Sequence, residues 1–282
     1  MISYHFLNGK IVSETSACLP LSDLGIGRGY GIFDYFQVKQ GVPLYLDEHL
    51  ERMQNSCRTM RLPLVYSLEE FKIFILELIQ INRLTEAGMK IIVTGGTGQG
   101  FSLENPNVAI QVLPFGQAKK EWMERGAPLI SHEYQRPVPH AKTTNYMMAV
   151  YLQNKVDQAG AVEPLYYTRT SVRESSRANV FAVFGKKLVT PAHEILTGIT
   201  RKHTIAWAKN HVELEIRDIT LEELVTADEV FLTGTMKMGL PITQIDGDRI
   251  GAGVPGPMTK TVQQMLLNYE EQYIATFVPV AT

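Results

Sequence analysis

A lysine, a glutamate and a glycine-led helix start are the parts of this sequence best suited to chemistry. Lys142 lies between a strand-like segment over 127–134 and an amphipathic stretch that begins near Thr144. Glu174 follows further along the chain, and Gly198 then opens a predicted helix. The first amides of such a helix have no carbonyl partner within it, so they bind anions such as phosphate. The sequence therefore offers an amine, a carboxylate and a phosphate site.

These three groups are what pyridoxal 5'-phosphate requires of a protein. The amine forms a Schiff base with the cofactor, the carboxylate holds the ring nitrogen protonated, and the helix start binds the phosphate. Lys142 also stands near a helix N-terminus, where the helix dipole disfavours a cation and favours the neutral amine that this chemistry needs. The residues therefore predict pyridoxal 5'-phosphate as the cofactor.

The order of these segments resembles the fold-type IV (class IV) pyridoxal-phosphate aminotransferase family. This family includes the D-amino acid and branched-chain aminotransferases and aminodeoxychorismate lyase. Three N-terminal segments match it as well: Ser22-Asp23, Arg28-Gly29-Tyr30-Gly31-Ile32-Phe33-Asp34 and Asp47-Glu48-His49-Leu50-Glu51-Arg52. The resemblance covers nearly the whole chain. It implies an α+β (mixed α/β) fold, with a smaller N-terminal α/β domain and a larger, β-barrel-like C-terminal domain with flanking helices.

The resemblance implies a role for each matching residue. Lys142 would carry the cofactor and move the substrate proton, and Glu174 would contact the pyridine nitrogen. Arg52 would supply a cation for the phosphate, with His49 as its support. The other implied cofactor contacts are Tyr146, Leu196, Gly198, Ile199, Thr200, Thr235 and Met236.

The substrate side departs from the family pattern. D-amino acid aminotransferases and the lyases commonly carry Thr-Arg-Gly where this chain reads Thr94-Gly95-Gly96, and that arginine binds the substrate carboxylate. The Arg-Pro pattern of branched-chain enzymes on this strand is absent too, and the threonine that lyases carry after the equivalent of Phe33 is replaced. A carboxylate in a water-poor pocket needs a cation, so we expect Arg28 and Arg177 to bind it, with Phe33 beside the substrate.

The predicted activity is an exchange of an amino group between a D-amino acid and a 2-oxo acid such as 2-oxoglutarate. An L-branched-chain aminotransferase, an aminodeoxychorismate lyase and a protein that binds the cofactor without turnover are the alternatives. The resemblance also implies a homodimer in which a loop of one subunit closes the neighbour's site. The glycine-rich segment 25–31 suits such a loop, since glycine tolerates tight backbone.

The bulk properties exclude several other classes of protein. A chain of 282 residues with a formal net charge of −2 lacks the excess of basic residues that binding to nucleic acid or to a membrane surface requires. Its two cysteines form no disulfide framework, and its seven histidines show no metal-ligand spacing, so no metal is expected. The N-terminus lacks a secretion signal and no apolar run is long enough to span a membrane. We therefore expect a cytoplasmic enzyme with small-molecule substrates.

Local signals predict the elements that position these residues in the first half. Asn8-Gly9 predicts a hairpin over 4–12, and Gln40-Gly41 predicts a second one that runs from 32–39 to 44–46. Asp47 is the expected N-cap of the next helix, and Ser67 with Glu70 form the expected capping box of another. The two glycine-rich stretches, 25–31 and 95–100, fit neither nucleotide-binding fingerprint and are interpreted as tight turns.

Strands and helices are mixed in the second half. Strands are predicted over 165–168, 180–184, 212–216 and 229–232, and helices over 144–159, over 198–210 and after Gly256-Pro257. Because the two do not alternate regularly, a doubly wound parallel sheet is disfavoured. The predicted division is an N-terminal domain over 1–116, a linker over 117–123 and a cofactor-binding domain over 124–282.

Overall fold

The structure is a computed structural model that describes residues 4–169 and 171–278. By its internal contacts the chain divides into two units. The first holds residues 4–116, 141–145 and 270–278, and the second holds 117–140 and 146–269. The predicted domain boundaries remain a prediction. Two features differ from that division: the expected linker 117–123 belongs to the second unit and includes the start of a helix, and the Lys142 segment belongs to the first.

Strands and helices alternate irregularly along the described chain. The strands are β1 Tyr4–Leu7, β2 Lys10–Ser13, β3 Gly31–Lys39, β4 Val42–Pro43, β5 Glu86–Thr94, β6 Val108–Leu113, β7 Ala127–Glu133, β8 Pro164–Tyr167, β9 Val172–Ser175, β10 Asn179–Phe184, β11 Lys187–Thr190, β12 Glu213–Ile216, β13 Glu229–Thr233, β14 Leu240–Ile245 and β15 Asp248–Arg249. The α-helices are α1 Leu24–Arg28, α2 Leu46–Thr59, α3 Leu68–Ile81, α4 Lys120–Arg125, α5 Met147–Tyr151, α6 Gln153–Gln158, α7 Ile199–Ala208, α8 Leu221–Leu224 and α9 Pro257–Thr276.

The first unit is built on an antiparallel sheet with the strand order β2-β1-β6-β5-β3-β4. Side chains alternate between its two faces, as the pleat requires. One face carries the buried Ile32, Phe36 and Val38 of β3, which form a core with residues of α2 and α3 such as Leu50 and Phe71. The opposite face of the same strands carries partly exposed residues, and the Lys142 segment joins this unit at the start of β3.

Most local predictions for the first unit are confirmed. The Asn8-Gly9 hairpin forms with both residues at positive φ, and Ser67 and Glu70 make the capping box of α3. The second hairpin is shorter than predicted, because β4 ends at Pro43. Asp47 is not the N-cap of α2. Tyr45 occupies that position in a left-handed conformation, and Asp47 lies in the first turn.

The glycine-rich segment 25–31 was wrongly predicted to be a tight turn. It holds the short helix α1, whose first turn is capped by Asp23: the Gly25 amide donates to Asp23 Oδ1 at 2.6 Å. Gly29 ends the helix at φ 64°, a left-handed conformation that glycine adopts at little cost. Arg28 is therefore the last residue of a capped helix and is exposed.

The second unit is built on a mixed sheet with the order β12-β11-β10-β13-β14-β7-β8-β9, and β15 pairs with β14. The pairs β11–β12, β14–β7 and β7–β8 are parallel, and the others are antiparallel. The outermost strand β9 turns back onto β10 through residues 175–178, where the Ser175 amide donates to the Ala178 carbonyl at 2.9 Å. The sheet therefore curls into a half-barrel, which confirms the predicted fold class.

One helix of the second half differs from its prediction. The stretch 144–159 forms two short helices, α5 and α6, and the first begins only at Met147. The reason is that the backbone before it pairs as a strand: Thr143 bridges Ile32, and the Thr144 amide donates to the Gly31 carbonyl at 2.9 Å. The starts of α7 after Gly198 and of α9 at Pro257 are confirmed. Over the described residues, no helix has both the length and the apolar character needed to cross a membrane.

Candidate active site

Lys142 is carried by a short extended segment that is hydrogen-bonded to the start of β3. The Phe33 amide donates to the Lys142 carbonyl at 2.9 Å, and the Lys142 amide donates to Ser56 Oγ of α2 at 3.1 Å. Gly31 lets this segment approach closely, since a Cβ there would lie 3.2 Å from Thr144 Oγ1. The backbone of Lys142 is thus fixed from two sides, which defines where its side chain begins.

The amine of Lys142 lies over an aromatic ring. Its Nζ is 4.5 Å from the centroid of the Phe33 ring, and both side chains are partly exposed. An ammonium over a ring face is attracted by the ring quadrupole. The structure therefore brings together the residue predicted to carry the cofactor and the residue predicted to lie beside the substrate.

Arg52 is held by a buried carboxylate to which the sequence analysis assigned no role. Its Nε donates to Asp34 Oδ2 at 2.9 Å and its Nη2 to Asp34 Oδ1 at 2.7 Å, a bidentate pair. His49 Nδ1 lies 2.7 Å from Asp34 Oδ1. His49 thus shares with Arg52 the carboxylate that holds the guanidinium, which is the kind of support that was predicted.

The charge state of this cluster follows from burial and proximity. Burial alone would raise the pKa of Asp34, but the charge of Arg52 and the hydrogen bonds it donates outweigh burial and hold that pKa well below its ordinary value. Burial lowers the pKa of His49 against the attraction of Asp34, so the imidazole is neutral at pH 7. Arg52 is therefore the counter-charge of Asp34.

Replacing Asp34 by asparagine is expected to lower the free energy of unfolding by about 3 to 5 kcal/mol near pH 7, because Arg52 loses a buried counter-charge. The carboxylate also makes stability depend on pH. Its folded pKa lies below the ordinary value of 3.8, so its contribution is complete well above that pH and is lost as the pH falls below it. Urea unfolding of both proteins at about pH 7 and about pH 3 measures the two effects.

Asp47→Asn provides the matched control. Asp47 also lies on the α2 side of this unit and has a cation partner, since Lys72 Nζ is 2.8 Å from Oδ1, but its side chain is 71% exposed. We expect a change of no more than about 1 kcal/mol. An Asp34→Asn protein as stable as the wild type at both pH values would contradict the role given to this carboxylate.

Glu174 lies in the second unit at the end of β9, buried and fully engaged. Arg136 Nε donates to its Oε1 at 2.7 Å, and the Leu196 amide donates to its Oε2 at 3.0 Å. Arg136 also donates from Nη2 to the Pro139 carbonyl at 2.7 Å, which fixes the guanidinium. The carboxylate is therefore held in a defined place, and it binds the segment that precedes α7.

The start of α7 is shaped by Asn179. The Asn179 Nδ2 donates to the Leu196 carbonyl at 2.7 Å, and its Oδ1 accepts from the Gly198 amide at 3.1 Å. A Cβ on residue 198 would lie 2.2 Å from that Oδ1, so glycine is required. The next amides, of Ile199 and Thr200, open the helix without intrahelical acceptors. This is the predicted anion site.

The second predicted phosphate turn lies beside the first. Asn179 is paired with Thr233 across β10 and β13, and Thr235 and Met236 lie in the turn that follows Thr233, partly exposed. The Lys237 amide donates to the Gly234 carbonyl at 2.9 Å, which closes this turn. Both turns are therefore at the same end of one strand pair.

Tyr146 and Arg177 belong to the same electrostatic neighbourhood. Burial raises the pKa of Tyr146 to about 12, with the charge of Arg136 acting against burial and that of Glu174 adding to it. The phenol therefore keeps its proton at neutral pH and can donate a hydrogen bond. Arg177 donates from Nε to Glu163 Oε2 at 3.2 Å, and its side chain is half exposed.

Glu163 is a buried acceptor that joins several of these segments. It accepts from the hydroxyl groups of Ser175 and Ser176, and Lys237 Nζ lies 2.9 Å from its Oε1. Burial would raise the pKa of Glu163, but the charges of Lys237 and Arg177 hold it below its ordinary value. One carboxylate is thus shared by two cations, which leaves this cluster with an excess of positive charge.

Four residues on which these contacts depend had no predicted role: Asp34, Arg136, Glu163 and Asn179. Asp34 had a usable signal, because it occupies a core-facing position of an alternating strand, where a carboxylate needs a cation. Asn179 stands directly after the Glu174 motif, a weaker signal. Arg136, in a turn before a proline, and Glu163, in an otherwise apolar run, gave no signal in the sequence.

The donors and acceptors of these segments fit pyridoxal 5'-phosphate. Gly198 and the first amides of α7, which have no intrahelical acceptor, form a space that can hold a phosphate. A side chain at residue 198 would fill this space. Glu174 offers a carboxylate for a protonated ring nitrogen, and Lys142 offers a primary amine. Among the residues that the structure describes, no group of three or more His, Cys, Asp or Glu side chains is arranged to hold a metal ion.

Comparison with known proteins gives matches over nearly the whole chain. The model of the family described as "Amino-transferase class IV" matches residues 31–245. A D-alanine aminotransferase from Bacillus licheniformis is 31% identical over 274 residues, which cover 93% of this chain and 95% of that protein. A putative branched-chain-amino-acid aminotransferase from Methanocaldococcus jannaschii is 31% identical over 273 residues, with 92% and 93% covered. A solved branched-chain amino acid aminotransferase from a T.th. strain, with pyridoxamine 5'-phosphate, has a TM-score of 0.87 at 25% identity, with 95% of this chain and 94% of that chain covered.

Proposed function

The chain belongs to the amino-transferase class IV family and uses pyridoxal 5'-phosphate, and we propose that it exchanges an amino group between a D-amino acid and a 2-oxo acid such as 2-oxoglutarate. The observation that carries this proposal is the buried Glu174 carboxylate, bound by Arg136 and by the segment that opens α7. The preference for a D-amino acid is supported by the D-alanine aminotransferase at 31% identity.

The residues divide the work as follows. When bound, the cofactor supplies an electron-accepting ring that makes the substrate α-proton acidic. Lys142 Nζ would remove this proton and return it to complete the transfer of the amino group. Glu174 would keep a proton on the ring nitrogen, and the Ile199 and Thr200 amides would bind the phosphate. Arg52 adds a cation whose position is set by its bidentate pair with a buried carboxylate.

A half-reaction screen tests the proposal. The holoenzyme is mixed with single D- and L-amino acids, without an acceptor, and conversion of the cofactor to its amine form is followed by absorbance. Conversion by D-alanine or D-glutamate, with L-amino acids inert, supports the proposed function. If neither D- nor L-amino acids convert the cofactor, the protein only binds the cofactor and the proposed function is wrong.

An L-branched-chain aminotransferase is the second candidate. The putative branched-chain enzyme matches with the same identity as the D-alanine enzyme, and the solved structure described above is a branched-chain enzyme. Conversion by L-leucine and L-valine in the same screen would favour this function. Release of pyruvate from aminodeoxychorismate without an amino acceptor would instead identify a lyase.

We propose further that the working unit is a homodimer and that Arg28 and Arg177 bind the substrate α-carboxylate. The helix α5 supports the dimer, because its apolar Met147, Val150 and Tyr151 are 69%, 72% and 74% exposed in the single chain. Arg177 is oriented through Nε by Glu163, so its terminal nitrogens can form the fork that binds a carboxylate. Arg28 ends α1 and would act on the neighbouring subunit's substrate.

Replacing either arginine by alanine is expected to raise the KM for amino donor and 2-oxo acid alike by about tenfold to hundredfold, because each loses a charge-assisted bond to the carboxylate. Cofactor occupancy should remain, since Lys237 still lies beside Glu163 when Arg177 is absent. Steady-state kinetics and the cofactor absorbance measure both. The matched control is Arg125→Ala, an exposed arginine of α4. If a variant loses the cofactor, or if both of its KM values are unchanged, that arginine does not bind the substrate carboxylate.

Mixing two impaired subunits tests whether Arg28 acts across the dimer. Arg28→Ala, which has a raised KM, and Lys142→Ala, which lacks the base, are unfolded together in equal amounts and refolded. Half of the dimers are then mixed, and each mixed dimer holds one complete site, so about a quarter of the wild-type kcat/KM should return at substrate concentrations well below KM. No recovery, or a monomer by light scattering with full activity, would contradict the shared site.

A further inference from the structure

The sheet face opposite the core of the first unit carries a cation that the proposed function does not use. Strand alternation places Phe33 and Tyr35 of β3 on this face, with Lys90 of β5 and Gln111 of β6 beside them. Tyr35 and Lys90 are direct partners across the strand pair. The helices α2 and α3 cover the other face of the sheet, so these side chains belong to a different surface.

Lys90 shares an aromatic ring with the reactive amine. Lys90 Nζ lies 4.8 Å from the centroid of the Phe33 ring, and Lys142 Nζ lies 4.5 Å from the same centroid. The Phe33 ring therefore places the Lys90 cation close to the amine that is proposed to react with the substrate. From this position Lys90 can attract an anionic group of that substrate.

Lys90 lacks a permanent anionic partner within the part of the chain that the structure describes. Its side chain is half-buried, and no carboxylate among residues 4–169 and 171–278 lies within ion-pair distance of its Nζ. Burial lowers the pKa of Lys90, as expected for an ammonium removed from water without a counter-charge. Such a group gains more than an exposed lysine does when a carboxylate arrives.

Tyr35 packs closely against the strand that carries Lys90. The Tyr35 ring lies against the neighbouring Gly88, since a Cβ at residue 88 would be 2.6 Å from Tyr35 Oη and 2.8 Å from its Cε2. Glycine at this place lets the Tyr35 ring approach the strand that carries Lys90. Lys90 is paired with Tyr35 across the two strands, and its amine lies 4.8 Å from the centroid of the Phe33 ring.

We propose that Lys90 is a specificity-determining residue that binds the distal carboxylate of dicarboxylic amino acids and 2-oxo acids. This inference rests on the proposed function, in which the α-carboxylate belongs to Arg28 and Arg177. A dicarboxylate carries a second charge on the carbon chain that extends from the reacting carbon, and Lys142 defines where that carbon reacts. A cation on the same ring as Lys142 is placed to bind this second charge and gives acidic substrates an advantage over neutral ones.

The kinetic test compares acidic with neutral substrates in Lys90→Met. The kcat/KM for 2-oxoglutarate is expected to fall by about tenfold to hundredfold, the loss of one charge-assisted bond, whereas the value for pyruvate stays within about twofold. Lys90→Arg, which keeps the charge, should retain most of the preference for 2-oxoglutarate. Lys10→Met is the matched control, because it removes one exposed positive charge from β2 of the same unit. Equal losses for both acceptors would assign Lys90 to the α-carboxylate and overturn the proposal, as would no loss for either.

Equilibrium binding separates this inference from the proposed function. Glutarate and butyrate have no amino or oxo group to react, and their binding to the holoenzyme is measured by calorimetry. The wild type is expected to bind glutarate more tightly than butyrate, and Lys90→Met should abolish the difference. Glutarate that binds no more tightly than butyrate to the wild type would overturn the role of Lys90 even if transamination of D-amino acids is observed. Loss of the proposed function would instead be seen in the half-reaction screen alone.

Discussion

A Lys142→Ala protein is expected to lose at least about a thousandfold in turnover, because it lacks both the covalent attachment of the cofactor and the base that moves the substrate proton. The backbone contacts of residue 142, with Phe33 and with Ser56 Oγ, do not use the side chain. The fold should therefore survive, and the loss should reside in the chemistry. Thermal unfolding and single-turnover rates measured on one preparation separate the two.

Two further measurements make the assignment specific to Lys142. Borohydride reduction of the wild-type holoenzyme, followed by peptide mapping, should place the pyridoxyl mass on Lys142. A small primary amine in the buffer should restore part of the lost rate to Lys142→Ala, since it can take the place of the missing Nζ. Lys155→Ala, at an exposed position of α6, should behave as the wild type. A pyridoxyl label on any other lysine would refute the assignment.

The parts of the fold that were predictable are those in which a local signal determines the structure. Asn8-Gly9 adopts positive φ values that few other residue pairs tolerate, and Ser67 and Glu70 satisfy each other's backbone donors without help from the rest of the chain. The start of α7 after Gly198 is local too. These signals hold in any tertiary context, so the sequence alone was enough.

Other elements depended on contacts far apart in the chain. The stretch over 144–159 has helical periodicity, yet the Thr144 amide is used by the Gly31 carbonyl and the helix starts later. Aspartate is a good capping residue, but Asp47 is not the N-cap. The N-cap position of α2 is occupied by Tyr45, whose backbone is left-handed. In both cases a tertiary hydrogen bond or a chain reversal outweighs a propensity of about 1 kcal/mol or less.

The candidate site shows the same division. Residues within a contiguous motif, such as Glu174 and Gly198, were predicted from the sequence to belong to the site, and their roles remain predictions. The residues that hold them could not: Arg136 reaches Glu174 across 38 positions, and nothing in its local sequence separates it from a solvated arginine. Lys90 was missed because a lysine on the outer face of a strand is the ordinary pattern, and only the shared Phe33 ring distinguishes it.

Arg136 also changes what should be expected of Glu174. A carboxylate that only faced a ring nitrogen would be replaceable by an amide with loss of charge alone. Here Glu174 also binds a fixed guanidinium and the Leu196 amide, so the same substitution leaves Arg136 with a neutral partner. Its effect should therefore appear in stability as well as in rate, by about 1.5 to 3 kcal/mol for the weakened charge-assisted bond.

A Glu174→Gln protein is expected to remove the substrate α-proton about a hundredfold to a thousandfold more slowly, because charge that develops on the ring is no longer balanced by a protonated nitrogen. The reducible bond to Lys142 should still form, so borohydride labelling is unchanged. Stopped-flow half-reactions with the best amino donor measure the rate. Glu174→Asp keeps the negative charge on a shorter side chain and should recover part of the rate. Glu222→Gln, which changes an exposed carboxylate of α8, should leave the rate unchanged. If Glu174→Gln runs the half-reaction near the wild-type rate, the carboxylate supports the Leu196 segment and Arg136 only, and the ring nitrogen must obtain its proton from another group.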